Sequence, residues 1–117
     1  MFTEHTQLAL FHVLLIVPLF IYVGLAREQV PEAVFYTLAG LGVVIGGYHA
    51  YRAYTKIAAG KSPWVNYIHI FLVAPLLIIL GLNGKTSNRK YFEMLLMLGF
   101  AAGGYHALSV IRDTISQ

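Results

Sequence analysis

The stretch Leu41-Gly42-Val43-Val44-Ile45-Gly46-Gly47-Tyr48-His49-Ala50 decides the fold, because it returns 57 positions later as Leu98-Gly99-Phe100-Ala101-Ala102-Gly103-Gly104-Tyr105-His106-Ala107. The offset runs upstream without a gap: His12 matches His69, Pro18 matches Pro75, and Gly24-Leu25 matches Gly81-Leu82. Identity is 7 of 14 positions between 12–25 and 69–82, and 9 of 16 between 35–50 and 92–107, so half of the chain reads as a copy of the other half. Self-similarity at a fixed offset marks a fold assembled from repeated units.

What is repeated is apolar. Four runs, 8–25, 33–51, 65–82 and 91–111, are each long enough for a helix to cross the roughly 30 Å hydrocarbon core of a bilayer. Across the 117 residues 58% are hydrophobic and 11% charged, against about 25% charged in a soluble domain. The first run resembles a signal sequence in position only. Met1-Phe2-Thr3-Glu4-His5 carries no Lys or Arg to make a basic n-region, and the run has an internal copy, so it is expected to be retained.

Two spans per copy give both halves one orientation. The expected architecture is therefore an all-α integral membrane four-helix bundle made of two duplicated helical hairpins. It is a parallel internal repeat with a pseudo-two-fold axis along the membrane normal. One transmembrane domain is expected over 1–117, with repeat 1 at 8–51 and repeat 2 at 65–111, and both termini on one side. Arg52, Lys56, Lys61 and Arg112 fall on that side and Arg27, Lys85, Arg89 and Lys90 on the other, so the positive-inside rule assigns no orientation. Between spans 2 and 3, Gly60 breaks the chain, Ser62 is expected to cap and Pro63 to open the next helix.

Charge and composition exclude several classes. The net charge of +3 is scattered between apolar runs and forms no clustered basic face, which points to the lipid bilayer as partner and away from nucleic acid. With no cysteine, thiolate metal sites, iron–sulfur clusters and covalently attached haem are excluded. No lysine lies within a span, which argues against a retinal Schiff base, and no P-loop, complete potassium-filter sequence or supported Ser/His/Asp set suggests an enzyme or a known pore.

Two features carry chemistry. Gly42, Gly46 and Ala50 form a small-residue row on one helix face, repeated as Gly99, Gly103 and Ala107; such rows bring helices into close contact, or clear a slot for a flat cofactor. His12, His49, His69 and His106 fall at one level, about 4–8 Å inside the termini-side boundary at 1.5 Å of rise per residue. An imidazole placed there needs a hydrogen bond, a metal or a wet cavity. His5 has no matching copy and reads as a surface residue.

The leading expectation is a cofactor site on those histidines. Haem b fits through His49 and His106 or through His12 and His69, with Tyr48 and Tyr105 beside it and Arg52, Lys56 or Arg112 for its propionates. A transition metal ion held by all four imidazoles is the other cofactor. The alternative is a small oligomeric ion or proton channel built on the same histidines, or a structural membrane protein with no cofactor. Glycines on a second face, Gly40 and Gly47, predict a homo-oligomer. Pro18 and Pro75, mid-span in each copy, predict a kink or a local widening.

Over 62–81 (Ser-Pro-Trp-Val-Asn-Tyr-Ile-His-Ile-Phe-Leu-Val-Ala-Pro-Leu-Leu-Ile-Ile-Leu-Gly) and 91–107, the chain resembles small uncharacterised multi-span proteins encoded by large DNA viruses of algae. The resemblance implies a host or virion membrane and brings no catalytic residue with it.

Overall fold

The computed structural model describes residues 4–116, the side chains of His5 and Ser116 apart; the expectation for His5 lies outside the described side chains. Among the described residues there is helix and no strand. Four helices are long and apolar enough to cross a membrane: α1 (Thr6–Gln29), α2 (Glu32–Ala58), α3 (Trp64–Thr86) and α4 (Arg89–Ile115).

The helices group into two compact units. Met1–Arg27 with Phe92–Gln117 forms unit 1, and Glu28–Tyr91 forms unit 2, so each unit takes one helix from each sequence copy. In unit 2, Phe35 and Leu38 of α2 and Leu76, Leu77 and Leu80 of α3 are buried. The corresponding residues of unit 1 are Phe20 and Val23 of α1 with Phe92 and Leu95 of α4. Glycine sets how close the helices come. A Cβ on Gly81 would lie 2.5 Å from the backbone nitrogen of Ala39, and one on Gly24 would lie 2.8 Å from Leu96 Cβ, so only hydrogen fits at either crossing.

Proline shapes α1 and α3 in the same way. Pro18 and Pro75 have no N–H to continue the helical ladder and a ring that crowds the preceding turn. The helix responds by widening into a π turn just before each proline, His12–Ile16 and His69–Val73. There the Val17 N–H reaches back to the His12 carbonyl and the Ala74 N–H to the His69 carbonyl. A π turn is a rare local feature that clusters at functional sites.

The connections differ from expectation in detail. α2 does not stop near Tyr51 but runs on to Ala58, because residues 52–58 remain good helix formers after the apolar run ends. The chain turns off the helix at Gly60, two residues beyond its end, where a φ of +73° suits glycine. The Lys61 N–H bonds the Lys56 carbonyl at 2.7 Å and the Gly60 N–H bonds that of Ile57 at 3.0 Å, closing the last turn as a Schellman motif. Pro63 is the N-cap residue of α3, not its first helical residue, and no side chain caps that end. Where α1 and α3 break into their final 3₁₀ turns, Arg27 and Gly84 adopt nearly the same backbone, φ +52° with ψ −121° and φ +56° with ψ −130°. That conformation is easy for glycine and strained for arginine.

Candidate functional site

Each unit holds one stacked pair of imidazoles. In unit 2 the His49 ring of α2 lies on the His69 ring of α3, with centroids 3.9 Å apart and planes 14° from parallel. In unit 1 the His106 ring of α4 lies on the His12 ring of α1 at 4.3 Å and 21°. All four histidines are half-buried. The pairs therefore join each histidine to a partner other than its own copy.

The two π turns start at the paired histidines. His12 Nδ1 is 2.7 Å from the Leu8 carbonyl, and His69 Nδ1 is 2.8 Å from the Val65 carbonyl. A carbonyl only accepts, so Nδ1 carries the proton in both rings, and Nε2 is the lone-pair nitrogen of the neutral form. The partner rings sit beside tyrosines: Tyr48 meets His49 edge-on at 5.2 Å and 85°, and Tyr105 meets His106 at 5.2 Å and 87°. Both tyrosines are exposed, as is Arg52, whose carbonyl accepts a hydrogen bond from the Thr55 hydroxyl at 3.0 Å.

Around the pairs the units diverge. In unit 2, Asn66 is 3% exposed and its Nδ2 lies 2.8 Å from His49 Nδ1. Its Oδ1 is buried with no hydrogen-bond partner. The matching position in unit 1 is Ala9, also buried. Unit 1 instead has Thr6, fully buried, whose hydroxyl donates to Asp113 Oδ2; the positions matching these two are Pro63 and Lys56. Neither Asn66 nor the Thr6–Asp113 pair stands out in a reading guided by the repeat, since each occurs in one copy only. The available signal is an uncharged polar residue facing an apolar copy, Asn66 against Ala9.

The small-residue rows face a helix of their own unit. A Cβ on Gly42 would meet Ile78 Cγ1 at 2.9 Å, and one on Gly46 would meet Ala74 Cβ at 3.3 Å. A Cβ on Gly99 would meet Ile21 Cγ1 at 3.1 Å, and one on Gly103 would meet Val17 Cγ1 at 3.3 Å. These four glycines are covered by helix and leave no slot for a flat macrocycle over them. Ala50 is exposed and Ala107 half-buried. Gly40, Gly47 and Gly104 meet nothing within 4 Å.

The ring geometry restricts ligation. An imidazole lone pair lies in the ring plane, so two nearly parallel rings stacked face to face do not both point at one ion. Among the described residues, no group of three or more His, Cys, Asp or Glu side chains is arranged to hold a metal ion. At the other end of unit 2, a cavity of about 290 Å³ is lined by Glu32, Phe35, Tyr36, Asn83 and Lys85 among others, and the Tyr36 hydroxyl donates to Glu32 Oε1 at 2.9 Å.

No protein-family model matches the chain, and neither a curated protein nor a solved structure matches it.

Proposed function

We propose that the chain is a multi-pass integral membrane protein, built from two copies of a helical hairpin, whose stacked imidazole pairs relay protons near the termini-side face of the bilayer. The observation that carries this reading is the pairing: each unit brings two imidazoles together, and because ring nitrogens donate and accept in the ring plane, a proton passes between them through water at the ring edges and not across the stack. The same paired arrangement occurs in both units, on the side chain that exchanges protons near neutral pH. Four helices of membrane-crossing length support the setting, as do large exposed apolar side chains such as Leu14, Val43, Val44, Phe71 and Met97. Ionisable residues within membrane spans commonly mark conduction paths.

The test is proton flux in vesicles holding purified protein under an imposed pH gradient. Replacing His49 or His69 with Ala is expected to reduce the flux by about a hundred-fold or more, the low end of what a positioned proton-transferring group contributes. Folded wild-type protein in vesicles that stay tight across the gradient ends the relay reading.

A second reading keeps a transition metal or haem b. The bonds from His12 Nδ1 and His69 Nδ1 to backbone carbonyls favour it, because metal-binding imidazoles usually donate their other N–H in this way. Here His12 and His69 bind through Nε2, each as one ligand and not as half of a stacked pair. Elemental analysis and an absorption spectrum of protein purified without added cofactor test it. Metal content or a Soret band lost in His12→Ala and His69→Ala supports this reading; protein free of both removes it.

Self-association belongs to the same proposal. Gly40 and Gly47 open one face of α2, and Gly104 opens α4. Gly47→Leu is expected to lower the detergent-solubilised mass towards that of one chain, and a wild-type mass already equal to one chain on every dilution removes the idea.

A further inference from the structure

The two imidazole pairs share their stacking, their tyrosines and their π turns, yet one amide sets them apart. We propose that Asn66 is a positioning residue that holds His49 in the tautomer with its proton on Nε2, and so assigns opposite hydrogen-bonding roles to the two rings of the His49–His69 pair.

The amide nitrogen of Asn66 lies 2.8 Å from His49 Nδ1. An amide NH₂ only donates, so this ring nitrogen accepts, and the proton of neutral His49 resides on Nε2. Reversing the amide would put an NH₂ group where Oδ1 now lies buried without a partner. Orphaned N–H donors are rarer in folded proteins than under-satisfied carbonyl oxygens, so the orientation with Nδ2 on the ring is the favoured one. His69 is fixed the other way, since its Nδ1 donates to the Val65 carbonyl at 2.8 Å. Two rings 3.9 Å apart thus present opposite groups at Nε2, an N–H on His49 and a lone pair on His69.

The consequence is a division of labour. With His49 Nδ1 engaged by the amide, His69 Nε2 is the accepting atom of the pair and His49 Nε2–H the donating one. In unit 1 the residue matching Asn66 is Ala9, whose methyl group donates nothing, so His106 receives no such instruction from that position. The tautomer assignment stands on geometry alone. Its meaning for proton transfer rests on the relay reading, and under the metal reading it makes His69, and not His49, the ligand of that pair.

The experiment is ¹⁵N NMR of the full chain in lipid bilayers with ¹⁵N-labelled histidine, each ring assigned by a single substitution. The wild type is expected to show His49 protonated at Nε2 and bare at Nδ1, with His69 the reverse. Asn66→Ala should shift the His49 tautomer ratio by about five-fold towards Nδ1–H, the equivalent of one ordinary hydrogen bond. Ala9→Asn should shift His106 towards Nε2–H. His49 found protonated at Nδ1 in the wild type overturns the proposal, and so does an unchanged ratio in a folded Asn66→Ala. Should that variant not fold, the wild-type spectrum and Ala9→Asn decide. Tight vesicles combined with the expected tautomers would sink the relay and keep the Asn66 assignment; proton flux with His49 protonated at Nδ1 would do the opposite.

Discussion

Unit 1 and unit 2 use one plan with different polar furniture. Both stack a histidine that starts a π turn on a histidine that follows a tyrosine, and both cross their helices at a glycine. Unit 2 then adds Asn66 beside its pair, whereas unit 1 adds Thr6 and Asp113 where unit 2 has Pro63 and Lys56. The shared parts are those that packing demands: glycine at a crossing, proline with its widened turn. The parts that differ are hydrogen-bonding side chains, which change the chemistry of a ring without moving it.

The glycine crossings offer the largest test of this comparison. Gly81→Ala puts a methyl group against the backbone of Ala39 and is expected to cost about 3 kcal/mol. Gly24→Ala should cost about 2 kcal/mol, since its approach to Leu96, 2.8 Å from Cβ and 3.0 Å from Cα, is about 0.3 Å looser. Denaturant titrations in mild detergent read both, and equal costs would erase this difference between the units. Next comes the buried hydroxyl of unit 1. Thr6→Val removes a hydrogen bond to a carboxylate and is expected to cost about 2 kcal/mol in the same titration; a change near zero would make the Thr6–Asp113 contact incidental.

The strained position gives a smaller effect of opposite sign. Arg27 holds a positive φ, and its Nε is buried with no hydrogen-bond partner, so Arg27→Gly should raise stability by about 1 kcal/mol. At the matching position, Gly84→Ala should lower it by about 1 kcal/mol. Loss of stability in Arg27→Gly would show that the guanidinium has a role that outweighs the strain. The smallest effect is at the open glycines. Gly47→Ala and Gly104→Ala meet no atom and should each add about 0.5 kcal/mol through helix propensity, with no difference between the units.

Much of the frame was readable from residue patterns. The four helices contain the four apolar runs, because a run long enough to cross a bilayer is also long enough to fix a helix. The end of α2 was harder to place, since Arg52, Thr55 and Lys56 interrupt the apolar run while the helix continues to Ala58, and composition marks where an apolar run ends, not where hydrogen bonding does. The prolines pointed to a kink or a widening without saying which; the π turns show the widening. The candidate histidines were identifiable, but their partners were not. Symmetry matches His49 with His106 and His12 with His69, whereas side-chain contact follows the helix pairs within each unit. Asn66 escaped because a repeat draws attention to what both copies keep, and the residue at the matching position is Ala9.

The crossing at Gly81 also has a mechanical meaning. It pins α2 to α3 near Ala39, and at 1.5 Å of rise per residue His49 and His69 lie roughly 15–18 Å along the helices from that point. Between that point and the rings the two helices stay in touch, since a Cβ on Gly42 would lie 2.9 Å from Ile78 and one on Gly46 would lie 3.3 Å from Ala74. The seam therefore acts as a closed zip and not as a hinge. Rings 3.9 Å apart ride at its end, and α2 parts from α3 there only by loosening the close-packed row behind them.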